Sequence, residues 1–213
     1  PYTTLFRSAK KLIAEIKKHL RSDYISRYII LFALATGARF AEIIGLTWDC
    51  VDFQNKTVTF NKTWDYKFNH DSSSTKTYDS KRTITIDDDT LNLLKELKNN
   101  QNKMRLKSGL GEKYNPKNLV FINYKMEVVT NKAVNKVLSK LCKRLNITPI
   151  TTHGLRHTHA SILLYKGVNI KYISRRLGHK DIVTTLQTYS HIMDEMEQKE
   201  SRVVDEMMKD LFA

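Results

Sequence analysis

Residues 152–166 read THGLRHTHASILLYK, a run suited to a single helix, and the architecture follows by working outward from it. Downstream, Ile170 to Leu177 and Asp181 to Ser190 read as two further helices, with a last one near Lys199 to Phe212. Upstream lie a helix at about Thr130 to Leu145 and, before it, a short strand at Leu119 to Ile122. Asp87 to Asp89 should cap a helix running to about Lys107, because acidic residues complement the dipole at a helix start, and Gly109 and Gly111 end it. Thr57 to Phe60 and the alternating Thr83 to Ile86 have strand character, and the polar, Ser-rich Asn69 to Ser74 reads as the turn between them. Before the strands, Leu12, Ile13, Ile16 and Leu20 recur at helical spacing within Ala9 to Leu20. Tyr24 to Ala35 is apolar enough for a buried helix, Gly37 breaks it, and Arg39 to Leu46 forms another. The expected fold class is α+β: mainly helical, with a small antiparallel sheet inserted after the first three helices.

A chain of 213 residues with 41% hydrophobic residues, 7 Gly and 3 Pro can bury one substantial core and has no disorder signature. Its 36 Lys and Arg against 22 Asp and Glu give a formal charge of +14, which favours a polyanionic partner because neutralised phosphates release counterions. Cys50 and Cys142 have neither disulfide-framework nor zinc-ligand spacing, which fits a reducing cytoplasm. The longest apolar stretch, Tyr28 to Ala38, falls well short of the roughly 20 residues that span a bilayer, so no membrane partner is expected. Pro1 to Ser8 (PYTTLFRS) look like the in-frame translation of a sequencing-library adapter. Residues 1–8 are therefore read as an artificial start, residues 9–190 as the functional domain and residues 191–213 as a tail helix.

Thr36-Gly37-Ala38-Arg39 followed by Glu42 puts an arginine at a helix start with a carboxylate one turn on, a spacing that an ordinary i, i+3 ion pair would also produce. Far downstream come His153-Gly154-Leu155-Arg156-His157-Thr158, then Leu177-Gly178-His179, then Thr188-Tyr189-Ser190-His191. His153 and His157 share metal-helix spacing, but no third ligand cluster lies near them. His157 and His159 read as packing or phosphate-facing residues.

In this order the elements resemble the tyrosine recombinase (phage integrase) family, over Thr36 to His191. The resemblance implies catalytic residues Arg39, His153, Arg156, His179 and the nucleophile Tyr189, with Glu42 in support. The catalytic lysine falls on Lys76 in Thr75-Lys76-Thr77, with Lys81 as its rival. The ten-residue interval from His179 to Tyr189 and the insertion around Tyr66 to Ser74 look most like integrases of temperate phages and conjugative elements.

The chemistry explains these residue types. Transfer of a phosphodiester concentrates negative charge on nonbridging oxygens, which two guanidinium forks bind at two points each. A phenol with a reference pKa of about 10 needs a cationic surrounding and a proton acceptor, for which His153 is the candidate. The departing 5′ oxygen needs a proton, which a lysine ammonium supplies. The family implies no metal or other cofactor, since fixed cations take that part. It further implies double-stranded DNA as substrate, a homotetramer during synapsis, accessory directionality or DNA-bending proteins, and residence at the nucleoid of a bacterial cytoplasm. A type IB topoisomerase and a noncatalytic DNA-binding module are the alternatives. In the tail, Val203, Val204, Met207, Met208, Leu211 and Phe212 make one apolar helical stripe, open to packing on its own domain or on a neighbouring protomer.

Overall fold

The computed structural model describes residues 2–21, 24–65, 71–74 and 81–212. Its centre is α2 (Ile25–Thr36), on which Tyr28, Ile29, Ile30, Phe32 and Ala33 are all buried. A helix apolar on every side must be surrounded, and α1 (Tyr2–Lys18), α5 (Asn131–Leu145) and α6 (Thr152–Tyr165) pack around it. It stops at Gly37, whose φ of 67° is the left-handed conformation that closes a helix, with its N–H bonded to Ala33 O. The short α3 (Phe40–Ile44) starts at Arg39, where the Glu42 side chain accepts from the Arg39 backbone N–H at 2.7 Å.

Strands β1 (Val51–Asp52), β2 (Thr57–Phe60) and β5 (Arg82–Thr85) form an antiparallel sheet in the order β1-β2-β5, with Val58 opposite Ile84. Val58, Phe60 and Ile84 alternate inward and join the core. Asp87 caps α4 (Asp88–Ser108), its carboxylate accepting from Thr90 N at 3.0 Å. The mainly helical α+β architecture expected from the sequence is borne out.

Four local expectations need correction. Asp71–Ser74 form a strand, β4, paired with β3 (Lys62–Asp65), rather than the tip of a turn, because the Thr63-Trp64 stretch supplies a strand to pair with. Leu119 to Ile122 are buried but form only an isolated antiparallel bridge, Thr47 to Leu119, made by Val120 N donating to Leu46 O and Trp48 N to Asn118 O. The apolar face of α1 runs upstream of Ala9: residues 2–8 are helical and Leu5, half-buried, extends the i, i+4, i+7 row of Ala9 and Leu12. Finally, the two helices expected after Asp181 are present but meet directly at a kink at Tyr189, with φ −119° and ψ 15°, instead of being separated near residues 191–198, and the pair is labelled α8 (Ile182–Phe212).

A second, smaller core lies beneath α6, α7 (Ile170–Leu177) and α8, built from Ala160, Leu164, Ile173, Leu177, Tyr189 and Ile192. Beyond it α8 projects outward, and Val204, Met207, Met208, Leu211 and Phe212 are exposed.

Candidate active site

The carboxyl end of α7 organises the site. A helix C-terminus presents unsatisfied carbonyls and the negative end of its dipole, so it attracts cations. Here three successive carbonyls each receive an N–H from a different arginine. Arg82 Nε donates to Arg176 O at 2.6 Å, Arg156 Nη2 to Leu177 O at 2.8 Å, and Arg39 Nη2 to Gly178 O at 3.0 Å. Gly178, at φ 68°, closes the helix, and a Cβ there would stand 2.7 Å from Arg82 Nη1, so close approach as well as backbone conformation calls for glycine.

Arg156 reaches this point from α6 and also donates from Nη1 to Gly37 O at 2.7 Å, so one guanidinium ties together the C-termini of α2 and α7. It is only 3% exposed. Burial and the neighbouring Arg39 bring its pKa down to about 9, which still leaves it cationic at neutral pH. Its hydrogen bonds among the described residues go to carbonyls, so its charge is not cancelled by direct contact with a carboxylate. Arg39 is more open, its side chain 42% exposed, and holds Glu42 Oε1 at 3.2 Å.

Glu42 is buried, and burial alone would raise its pKa. The net direction is nevertheless downward, because Arg82 binds both carboxylate oxygens, at 2.8 and 2.9 Å, and Arg39 adds its backbone N–H. Glu42 thus fixes Arg39 and Arg82 relative to each other. Arg82 also lies over the Phe60 ring, 4.7 Å from its centroid.

His179, directly after this helix end, is half-buried, and its Nδ1 is 2.7 Å from Thr185 Oγ1. Burial first, then Arg156 and Arg39, lower its pKa to about 4, so it is neutral at pH 7. The neutral tautomer in which Nδ1 accepts from the Thr185 hydroxyl carries its ring proton on Nε2. Tyr189 is 2% exposed, its ring in the second core and its hydroxyl 3.0 Å from His157 Nδ1. Burial pushes the phenol up to about 12, against a smaller opposing effect of Arg156.

Arg39, Glu42, Arg156 and His179 are therefore brought together, and Tyr189 lies within the field of Arg156. His153 stands apart: it is exposed, and its ring meets His157 edge-on at 4.5 Å rather than bonding Tyr189. Lys76 lies outside the described residues. Lys81 is exposed at the head of β5 and lines a cleft of about 570 Å³ with Tyr172, Arg175, Lys180 and His179, a basic surface suited to phosphates.

Sequence reasoning missed three participants. Arg82 gave no signal, since its partner lies 40 residues away. Arg176 binds Thr85 O, Ala35 O and His159 Nε2, while His159 donates from Nδ1 to Leu34 O; this pair braces α7 against α2 and β5. His157 was legible only as one turn from His153 and next to Arg156.

The model of the phage integrase family matches residues 4–196. The chain belongs to the phage integrase family. The resemblance carried by the Arg39, His153 to Arg156, His179 and Tyr189 motifs is thereby borne out. Within this family the chain is 32% identical over 179 residues to the integrase of Staphylococcus phage L54a, covering 81% of this chain and 49% of that protein. It is 28% identical over 179 residues to the ICEBs1 integrase of Bacillus subtilis (strain 168), covering 83% and 47% respectively. The chain spans about half the length of the curated relatives it matches. In fold it is similar to the Tn1549 transposon integrase in complex with transposon right end DNA, with TM-score 0.70, 22% identity, and 92% of this chain and 64% of that one covered. For XerA recombinase the TM-score is 0.68 at 24% identity, with 91% and 63% covered.

Proposed function

We propose that this chain is the catalytic part of a site-specific DNA recombinase that cleaves and rejoins strands through a 3′-phosphotyrosine at Tyr189. The observation that carries this reading is the buried cation of Arg156, bonded to carbonyls rather than to a carboxylate, joined to Arg39 and His179 at one helix end, with the Tyr189 phenol in its field. Arg39 and Arg156 hold the nonbridging oxygens of the scissile phosphate, where charge grows in the transition state. His179 donates from Nε2 to the same phosphate. The phenolic proton passes to an imidazole of α6, and Lys76 protonates the departing 5′ oxygen. The ester conserves the bond energy, so rejoining needs no nucleotide. The membership of the phage integrase family and the structural likeness to an integrase in complex with DNA support double-stranded DNA as the substrate.

A nicked suicide duplex, from which the cleaved end diffuses away, tests the reading beside a supercoil relaxation assay. A covalent adduct, with strand exchange between two duplexes exceeding relaxation, is the expected result. Relaxation without exchange would favour the topoisomerase alternative, and binding with no adduct a noncatalytic module.

Assembly into a tetramer on DNA follows from the same reading, with the tail of α8 docking on a neighbouring protomer in a cyclic, head-to-tail arrangement. The exposed Val204, Met207, Met208, Leu211 and Phe212 supply an apolar face that their own domain leaves uncovered. Removing Ser201 to Ala213 is expected to weaken synapsis while leaving the melting temperature of the isolated chain unchanged, with the circular dichroism reduced only by the helical turns removed. Unfolding of the truncated chain would instead make the stripe part of its own core.

A further inference from the structure

We propose that His157 is a catalytic residue, the group that takes the phenolic proton of Tyr189 as that oxygen attacks phosphorus; this rests on the recombinase reading of the site. The position follows Arg156 directly on α6.

The geometry is direct. Tyr189 OH lies 3.0 Å from His157 Nδ1, within the reach required of a general base, and no other side chain among the described residues bonds that hydroxyl. At 2% exposure the phenol cannot hand its proton to bulk water, so an acceptor inside the protein is needed. His153 is one turn earlier and exposed, and its ring meets the His157 ring at 4.5 Å and 87°. That edge-on contact, together with the 63° packing of His157 against Tyr189, holds the ring of His157 with Nδ1 toward the phenol. His153 is left free to face solvent or substrate.

The electrostatic surroundings agree. The titratable and charged groups facing His157 are His153 and Arg156 on its own helix, His179 from the turn after α7, and Tyr189 from α8. Burial, His153 and Arg156 all lower its pKa, so it is neutral at pH 7. A neutral ring whose Nδ1 accepts from the phenol carries its proton on Nε2. In the step itself the Tyr189 oxygen bonds to phosphorus, the bond from phosphorus to the 5′ oxygen breaks, and the phenolic proton passes to His157 Nδ1. The 5′ oxygen takes its proton from the lysine, and rejoining reverses each transfer.

The test uses His157→Asn, whose amide oxygen stands near the place of Nδ1 and accepts a hydrogen bond but cannot carry a proton. His153→Asn serves as the companion variant. Single-turnover adduct formation on the nicked suicide duplex is followed from about pH 5 to 9, a range that brackets a histidine titration. The unaltered chain should lose rate in acid as His157 becomes protonated, at a pH below the ordinary histidine value. His157→Asn should bind duplex within about threefold, form adduct on the order of 10²-fold more slowly, and lose that acid limb. His153→Asn should keep the limb. A merely structural role for His157 would slow the reaction without removing the pH dependence. An Asn variant that keeps the limb, or reacts within about threefold of the parent, overturns the assignment. Matching melting curves confine the comparison to catalysis, and His157→Gln replaces the Asn variant if that one is unstable. Failure of the unaltered chain to form any adduct would instead defeat the recombinase reading itself.

Discussion

Tyr189→Phe is expected to abolish covalent attachment to DNA while leaving duplex affinity within about threefold, because the change removes one oxygen and nothing that faces a phosphate in the resting structure. The ring belongs to the small core with Ala160, Leu164, Ile173, Leu177 and Ile192, and phenylalanine fills the same volume. The lost hydrogen bond to half-buried His157 costs about 1 kcal/mol of stability, too little to unfold the domain. No neighbour can substitute as nucleophile. The next hydroxyls along α8, Thr188 and Ser190, point elsewhere on the helix, and Thr188 Oγ1 is engaged by Thr184 O at 2.6 Å. A denaturing gel of the chain with labelled suicide duplex reads the outcome. A protein-DNA band that survives denaturation in the Phe variant would remove Tyr189 from the role of nucleophile.

The placement of that tyrosine shows what a sequence can and cannot carry. Caps are local, so Asp87 at the start of α4 was legible in the sequence; its carboxylate accepts from Thr90 N three residues on, as the Thr130 and Thr151 side chains accept from Ala133 N and Gly154 N at the starts of α5 and α6. The order of Arg39, His153, Arg156, His179 and Tyr189 was legible through its resemblance to the tyrosine recombinase family, and the structure gathers Arg39, Arg156, His179 and Tyr189 while leaving His153 at the edge. What escaped reading was contact between distant segments. Arg82 binds Glu42 across 40 residues, and Arg176 reaches Thr85 O across 91 and Ala35 O across 141. Neither residue differs in sequence from a solvated surface arginine. The pairing of β4 with β3 escaped for a related reason: Asp71 to Ser74 are poor strand formers, and only their partner strand gives them strand geometry. Similarly, the break in α8 at Tyr189 involves neither Gly nor Pro, the residues that announce such breaks.

Arg156→Lys should lower the rate of adduct formation by on the order of 10²-fold or more, equivalent to about 3 kcal/mol of transition-state stabilisation, although it preserves the formal charge. Two separate losses combine. First, Nη1 and Nη2 of Arg156 hold Gly37 O and Leu177 O at 2.7 and 2.8 Å, and one ammonium on a shorter reach cannot span both helix ends. The end of α7, which also receives Arg39 and Arg82 and carries His179, would lose its central tie. Second, the burial that brings Arg156 to about 9 would act on a lysine whose reference pKa begins about two pH units lower. At neutral pH such a buried ammonium holds its proton less firmly than the guanidinium does, so the variant weakens the charge as well as losing fork geometry. Affinity for duplex DNA and its salt dependence should change little, because the exposed lysines and arginines, rather than this buried residue, set the number of counterions released. Arg39→Lys should slow the reaction in the same direction, but its more open side chain keeps its charge, so the loss there is one of two-point binding alone. Rates on the suicide duplex, with binding titrations at two salt concentrations, separate these effects. Near-parental cleavage by Arg156→Lys would take this arginine out of the phosphate site and leave it a brace between α2 and α7.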